Sequence, residues 1–508
     1  MDLKLGLLLV AVPLVPVLAG IAGRYRPGDG SCRLATFGAW VALGLSLALT
    51  AAMIVSGAVA VRLLPSGAEP LSLRLDGIAA TMSLLVSFLG LTVIRFSRRY
   101  LAGDPRQAQF HSWMSLTLAA VLTLVLSANL LLIGIAWVAT SLFLHRLLLH
   151  FPLRAGAIFS ARKKFVVSRL GDICLLASIL LLYREHGTLE LDRLFAAAAG
   201  GKTHGLALVG VLVAACACLK SAQFPFHSWL PDTMETPTPV SAFMHAGIIN
   251  AGGFLIIRLS PLLIHAPEAL RALAVVGSVT AAFAAVVMLA QPTVKRALAF
   301  STIAQMGFMM LECGLGAFGL ALIHIVAHSV YKAHAFLHAG STIGTSAKTA
   351  IPIQNTGLAF GIGSAMTLVG TGCLLVERLH PGAGPGLLVV PLAGALAYGL
   401  ARLWSAAGSP AAIRYGLPGA LGIAVLAFGL HAVSTRFIPI TTLLTPGWLL
   451  SSFVTVVFLG LFLFQVLLWR FRALPFGRAF YVHALNGFYV GTHANRLLSR
   501  LWPKAEAR

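Results

Sequence analysis

The chain has 508 residues and carries 37 Lys+Arg against 15 Asp+Glu, a formal net charge of +22. That balance alone would suggest a nucleic-acid binder, but 58% of the residues are hydrophobic, 10% are charged and the mean hydropathy is +0.90. A soluble domain is about a quarter charged, so soluble enzymes, disulfide scaffolds and disordered tails are excluded, and no nucleic-acid partner is expected.

In chain order, apolar runs near the length that crosses a bilayer core fall at 3–21, 34–61, 77–94, 112–128, 129–145, 163–183, 204–221, 239–259, 268–290, 295–313, 316–345, 357–376, 386–405, 415–434 and 447–469. The chain reads as an all-α polytopic membrane protein, a single membrane domain with about 14–15 transmembrane helices. The first run, Leu5 to Gly20, follows one lysine only and is expected to be a retained helix rather than a signal peptide. Six cysteines are scattered, and the one close pair, Cys216 and Cys218, points to different helix faces. No metal, iron–sulfur centre or other cofactor is expected.

Basic residues alternate between connections. Arg24, Arg26 and Arg33 follow the first span, Arg95, Arg98, Arg99 and Arg106 the third, and Arg154, Arg162, Lys163 and Lys164 the fifth. Arg470, Arg472, Arg478, Arg496, Arg500 and Lys504 make 470–508 a basic tail, free to meet a partner. By the positive-inside rule the N-terminus lies outside and the tail in the cytoplasm. Lys163–Lys164 is expected to be an interfacial anchor facing anionic lipid, Glu312 and Glu377 to be solvated near span ends, and the Pro/Gly stretch 381–386 to be a turn.

A charge at mid-bilayer costs about 2.5–3.5 kcal/mol even on the mild insertion scale, so ionisable groups inside spans need a reason. Asp172 lies on the sixth span, Lys220 closes the seventh and His245 lies on the eighth. On the eleventh, His324, His328 and Lys332 fall at i, i+4 and i+8, one helix face. Lysine desolvated in this way can exchange its proton and histidine can pass one on, so these groups look like stations of a proton relay. His334 and His338 are possible accessories or simply helix-packing hydrogen bonders. Pro225, Pro231, Pro237 and Pro239, with Gly247, Gly252 and Gly253, suggest broken helices around Lys220.

The segment from Lys220 to Gly247, KSAQFPFHSWLPDTMETPTPVSAFMHAG, resembles the antiporter-like subunits of respiratory complex I and multisubunit sodium/proton (Mrp) antiporters. So do VKRALAFSTIAQM at Val294–Met306, Arg169-Leu-Gly-Asp172, and His328-Ser-Val-Tyr-Lys332, which looks like that family's lysine-bearing broken helix. The resemblance covers roughly residues 95–345. It implies two inverted five-helix repeats, about 112–259 and 268–405, each with one broken helix, and a proton path through Lys220, His245, His328 and Lys332.

Three departures stand out. The family's fifth-helix Gly-Trp-Glu is Ala136-Trp137-Val138 here, so its acid is gone and Asp172 is the candidate counter-charge for Lys220. The twelfth span, 357–376, holds no charged residue, and the long transverse helix of the largest complex I subunits is not seen. With His145-Arg146 and LNGFYVGTHANRLLSRLWP near the C-terminus, these features resemble one branch, the membrane subunit of the two-component DAB inorganic-carbon accumulation complex. That likeness implies a heteromeric complex in the bacterial inner membrane. In it, a cation, most simply H+, energises CO2 or bicarbonate accumulation by a large cytoplasmic zinc-binding, carbonic-anhydrase-like partner. This chain would then be a transporter subunit, not an enzyme. The alternatives are a proton-pumping subunit of a complex I, hydrogenase or Mrp-type assembly, or a purely structural anchor.

Overall fold

The computed structural model describes residues 3–26, 29–63, 71–342, 352–379, 386–437, 446–471 and 474–502. Arg472, Lys504 and positions 381–385 of the expected turn lie outside the described residues. In chain order come α1 (Leu3–Arg24), α2 (Asp29–Ser56), an antiparallel pair β1 (Val59–Arg62) and β2 (Ser72–Leu75), α3 (Gly77–Tyr100), α4 (Gln107–Leu126), α5 (Leu130–Leu148) and α6 (Ala155–His186). A short α7 (Leu191–Ala199) precedes α8 (Leu206–Lys220), and the next 17 positions fold as turns around α9 (Trp229–Asp232). Then follow α10 (Thr238–Ala246), α11 (Ala251–Arg258), α12 (Ser260–Leu263), α13 (Pro267–Ala290), α14 (Val294–Gly314) and α15 (Phe318–His338). The remainder is α16 (Asn355–Leu379), α17 (Val389–Ala411), α18 (Leu417–Phe437), α19 (Trp448–Phe471), α20 (Pro475–Leu485) and α21 (Val490–Leu501).

Among the described residues, 13 helical stretches are long and apolar enough to cross a membrane. One of them, Gly386–Ala432, runs through α17, which kinks near its end where Gly408 adopts φ +84° ahead of Pro410, into α18. Separating those two and adding the shorter α8 recovers each segment read from the sequence. Local chemistry sets the ends. The Asp76 carboxylate accepts the Ala79 N–H at 2.9 Å to open α3, the Asn129 side chain accepts the Leu131 N–H at 2.8 Å to open α5, and Gly187 at φ +66° closes α6.

The Ala/Gly-rich faces are helix contacts. A Cβ placed on Gly277 would sit 2.5 Å from the Gly307 carbonyl oxygen, and one on Gly314 would sit 2.4 Å from the Ala274 nitrogen. Antiparallel α13 and α14 can approach this closely only because those side chains are absent. Connections alternate between two ends of the bundle. At one end Arg98 pairs with Asp29 at 2.8 Å, His150 with Asp104 at 3.1 Å, and Lys295 donates to Thr238 Oγ1 at 2.9 Å. At the other, the Ala128 N–H donates to the Ser72 carbonyl at 2.9 Å and Arg258 pairs with Asp76 at 2.6 Å.

Two expectations are corrected here. α15 runs unbroken from Phe318 to His338, so the lysine-bearing stretch His328–Lys332 is not a broken helix. Its interior carries no proline and no glycine beyond Gly319, so nothing interrupts its hydrogen-bond ladder. The tail is not free either. Gln291 Nε2 donates to the Leu485 carbonyl at 3.3 Å, Asn495 accepts from Lys163, and Trp502 lies under the Arg162 guanidinium and against Phe165.

Candidate proton path

Lys220 is the last residue of α8, where the chain leaves helical geometry at depth. Its side chain is buried, and its ammonium nitrogen stands 4.4 Å above the Trp137 ring centroid of α5 with no hydrogen-bond partner. One turn along α5, the Ser141 carbonyl and hydroxyl oxygens accept from Lys164 Nζ at 2.8 and 2.9 Å, and the same hydroxyl accepts from Arg169 at 3.1 Å. Arg169 in turn pairs with Asp172 at 2.6 Å, three residues on. Asp172 is therefore engaged by Arg169 rather than standing as the private counter-charge of Lys220. Three basic groups share this buried region with that one carboxylate. Arginine keeps its proton, so Lys164 and Lys220 are the groups able to exchange one.

Lys163 and Lys164 are not lipid-facing anchors. They are 4% and 3% exposed, and Lys163 Nζ donates to Asp232 at 2.7 Å, to Asn495 Oδ1 at 2.6 Å and to the Ser228 carbonyl at 3.2 Å. A stem at a span end can snorkel outward, but here the acceptors lie inward, on the turns after α8 and on α21.

The second interruption, Ile248–Asn250 between α10 and α11, ties the two halves of the path together. Ser221, next to Lys220, donates to the Ile249 carbonyl at 2.7 Å, and Asn250 Nδ2 donates to Ser329 Oγ, next to His328, at 2.8 Å. His245, near the end of α10, is fully buried, stacks on Phe336 at 4.4 Å and bonds Thr302 Oγ1 through Nδ1 at 3.1 Å. The Thr302 hydroxyl is already committed as donor to the Leu298 carbonyl at 3.0 Å, so His245 Nδ1 carries the proton of that contact. In the neutral ring Nε2 is then a bare acceptor, and it has no partner. The Leu298 carbonyl also accepts from Lys332 Nζ at 3.3 Å, which links His245 and Lys332 through two atoms of α14.

On α15, Lys332 is fully buried and His328 nearly so, with neither His328 ring nitrogen hydrogen-bonded. The His324 ring lies 6.1 Å from that of His328, edge to face. Its Nδ1 meets Glu312 Oε2 at 2.8 Å and its Nε2 meets Gln305 Oε1 at 3.0 Å. Glu312 is thus buried and paired, against the expectation of a solvated acid, whereas Glu377 is exposed. His334 and His338 stand apart from this row. Both are exposed, their rings stack at 5.5 Å, and His338 Nε2 bonds Ser341 at 3.0 Å.

Outside the spans, burial pushes the Asp76 carboxyl up, but Arg258 and the Ala79 N–H outweigh it and hold it below the ordinary aspartate value. Asp104 is held down likewise, burial being offset by the Arg106 N–H and by His150. Among the described residues, no three His, Cys, Asp or Glu side chains converge as a metal site would require.

Trp137, Ser141, Lys164, Thr302 and Glu312 were not picked out as path residues from the sequence. Trp137–Ser141 on α5 and Leu298–Thr302 on α14 do carry the i, i+4 spacing that marks one helix face. Without partners across helices that spacing has no meaning.

The protein-family model described as "NADH:quinone oxidoreductase/Mrp antiporter, TM" matches residues 127–374, and that of "NADH-Ubiquinone oxidoreductase (complex I), chain 5 N-terminus" matches 67–111. The chain is 36% identical to a "Probable inorganic carbon transporter subunit DabB" of Hydrogenovibrio crunogenus, over 82% of its own length and 81% of the relative's. It is 41% identical to DabB2 of Halothiobacillus neapolitanus and 35% identical to NADH-quinone oxidoreductase subunit L of Mycobacterium tuberculosis, each over 66% of this chain. It spans 63% and 55% of those two proteins. Among solved structures, the Mrp complex from Dietzia sp. DQ12-45-1b contains a chain with TM-score 0.60 and 24% identity, covering 99% of this chain and 57% of that one.

Proposed function

Because the chain belongs to the antiporter-like family of membrane subunits shared by complex I, Mrp antiporters and DabB, we propose that it translocates a cation, H+, and thereby energises inorganic-carbon accumulation. The observation that carries the reading is the pair of buried amines, Lys220 with no hydrogen-bond partner and Lys332 with a single carbonyl, together with the buried histidines His245 and His328. Anchoring a partner gives no reason to bury them, since each charge costs several kcal/mol in the membrane. The likeness to a probable inorganic carbon transporter subunit over four fifths of both chains supports carbon accumulation as the work done. A large cytoplasmic zinc protein resembling carbonic anhydrase completes the heteromeric complex in the bacterial inner membrane, with the N-terminus outside and the tail inside.

The proton enters at His324, His328 and Lys332, passes His245 and the Ile248–Asn250 break to Lys220, and leaves beside Lys163 on the tail side. Asp172 holds Arg169 in place against Ser141, so that Lys164 and Lys220 titrate next to a fixed positive charge. One charge crossing is worth about 2.3 kcal/mol per 100 mV. A tenfold concentration step costs about 1.4 kcal/mol, so roughly 150 mV supports accumulation of a few hundred-fold per proton. The demand on the protein is therefore gating, not energy.

Complementation of a carbonic-anhydrase-deficient bacterium in air, with and without the neighbouring gene product, tests the reading. Rescue needs both proteins and disappears with an uncoupler; rescue that survives complete uncoupling refutes energy coupling. The likeness to subunit L favours a second reading, a redox-driven pump subunit. It requires that the chain purify with quinone-reducing partners instead.

A further inference from the structure

We propose that Glu312, paired with His324, is a protonatable port that opens the α15 row of histidines and lysine to a crevice beneath the C-terminal helices. The inference rests on the translocation reading above and adds to it a residue and an inlet. Glu312 lies on α14 and is 6% exposed, with its carboxylate against His324 Nδ1 at 2.8 Å. The other ring nitrogen faces Gln305 Oε1 at 3.0 Å. The His324 ring thus bridges the Glu312 carboxylate on α14 and the Gln305 amide about two turns earlier on the same helix. His328 and Lys332 continue from it at i+4 and i+8 on the same face.

The pair forms the polar end of a cavity of about 460 Å3, lined also by Phe308, Leu392 and Phe428. At roughly 30 Å3 per water it has room for a short file of water, which collects where polar partners exist, at Glu312 and His324. A proton taken from that water by the Glu312 carboxylate is passed to His324 and on through His328 to Lys332.

A purely structural role explains less. Replacing a buried ion pair by packed apolar groups is often neutral or stabilising, so joining α14 to α15 does not by itself call for an acid. An acid that exchanges its proton does.

Two measurements on the full chain co-expressed with its partner decide the matter. Native membranes are treated with dicyclohexylcarbodiimide, which adds to protonated carboxyls reached from apolar surroundings, and the peptide holding Glu312 is read by mass spectrometry. Glu312 is expected to be modified. In proteoliposomes, Glu312→Gln, which keeps shape and a hydrogen bond to His324, is expected to lower proton flux at least tenfold with assembly intact, and Glu312→Asp to recover part of it. No label at Glu312, or wild-type flux in Glu312→Gln, overturns the port. If the wild-type complex itself carries no flux, the translocation reading fails, and the labelling alone then decides whether Glu312 exchanges protons with the crevice.

Discussion

Lys220 meets the face of the Trp137 indole, and Val138 stands beside it where the resembled family places a carboxylate, so no acid of that helix faces the amine. A desolvated cation over tryptophan gains about 2 kcal/mol, so the indole is what holds the charged amine here. Trp137→Leu is expected to lower proton flux in proteoliposomes by about ten- to thirtyfold, with Trp137→Phe in between. Unchanged flux in both would remove the indole from the path. Asp76 belongs to stability rather than transport. Its folded carboxyl is held below its usual value near 3.8, so the Asp76–Arg258 pair stabilises at neutral pH and that contribution is lost as pH falls through the folded value. Asp76→Asn should accordingly lower the melting temperature at pH 7 and make little difference in strong acid. At this scale Lys220, His245, His328 and Lys332 were legible, because an ionisable group inside an apolar run announces itself. Glu312 and Lys164 were not, because both lie near span ends where a solvated reading is the ordinary one. Their burial depends on His324 and Ser141, 12 and 23 residues away.

Helix breaks were legible where backbone chemistry forces them and misread where only likeness suggested them. Pro225, Pro231 and Pro237 with Gly247 mark both interruptions that the structure shows before α11. α15, by contrast, lacks any breaker and stays continuous. Gly252 shows why the break matters to packing: a Cβ there would lie 2.4 Å from Ser221 Oγ and 2.5 Å from the Ala217 carbonyl oxygen. The hydroxyl could turn away but the carbonyl belongs to α8 and cannot. Gly252→Ala is therefore expected to cost about 1–3 kcal/mol, read as a lowered melting temperature. Gly363→Ala, with nothing within 4 Å of the added methyl, should match wild type or exceed it. Equal melting of the two variants would show that α11 and α8 are not held at this distance.

Across the whole molecule, the alternation of basic connections anticipated which loops share an end. The ion pairs Arg98–Asp29 and His150–Asp104 at one end, and Arg258–Asp76 at the other, follow that division. The docked tail was not legible, since composition shows a basic segment but not that Asn495 completes the shell of Lys163. A chain stopped before Asn486 should leave Lys163 open to amine-reactive ester labelling in detergent, whereas the full chain protects it. Equal labelling would mean that α21 does not cover it. The contact between Lys163 and Asn495 also has a consequence in time. The two residues are 332 positions apart, so at about 5–20 residues per second the ribosome delivers Asn495 tens of seconds after Lys163 and Asp232 have met the membrane. Until then Asp232 and the Ser228 carbonyl hold that ammonium without Asn495. The newborn subunit stays unsealed on that face until α21 swings back, a built-in delay between insertion and completion.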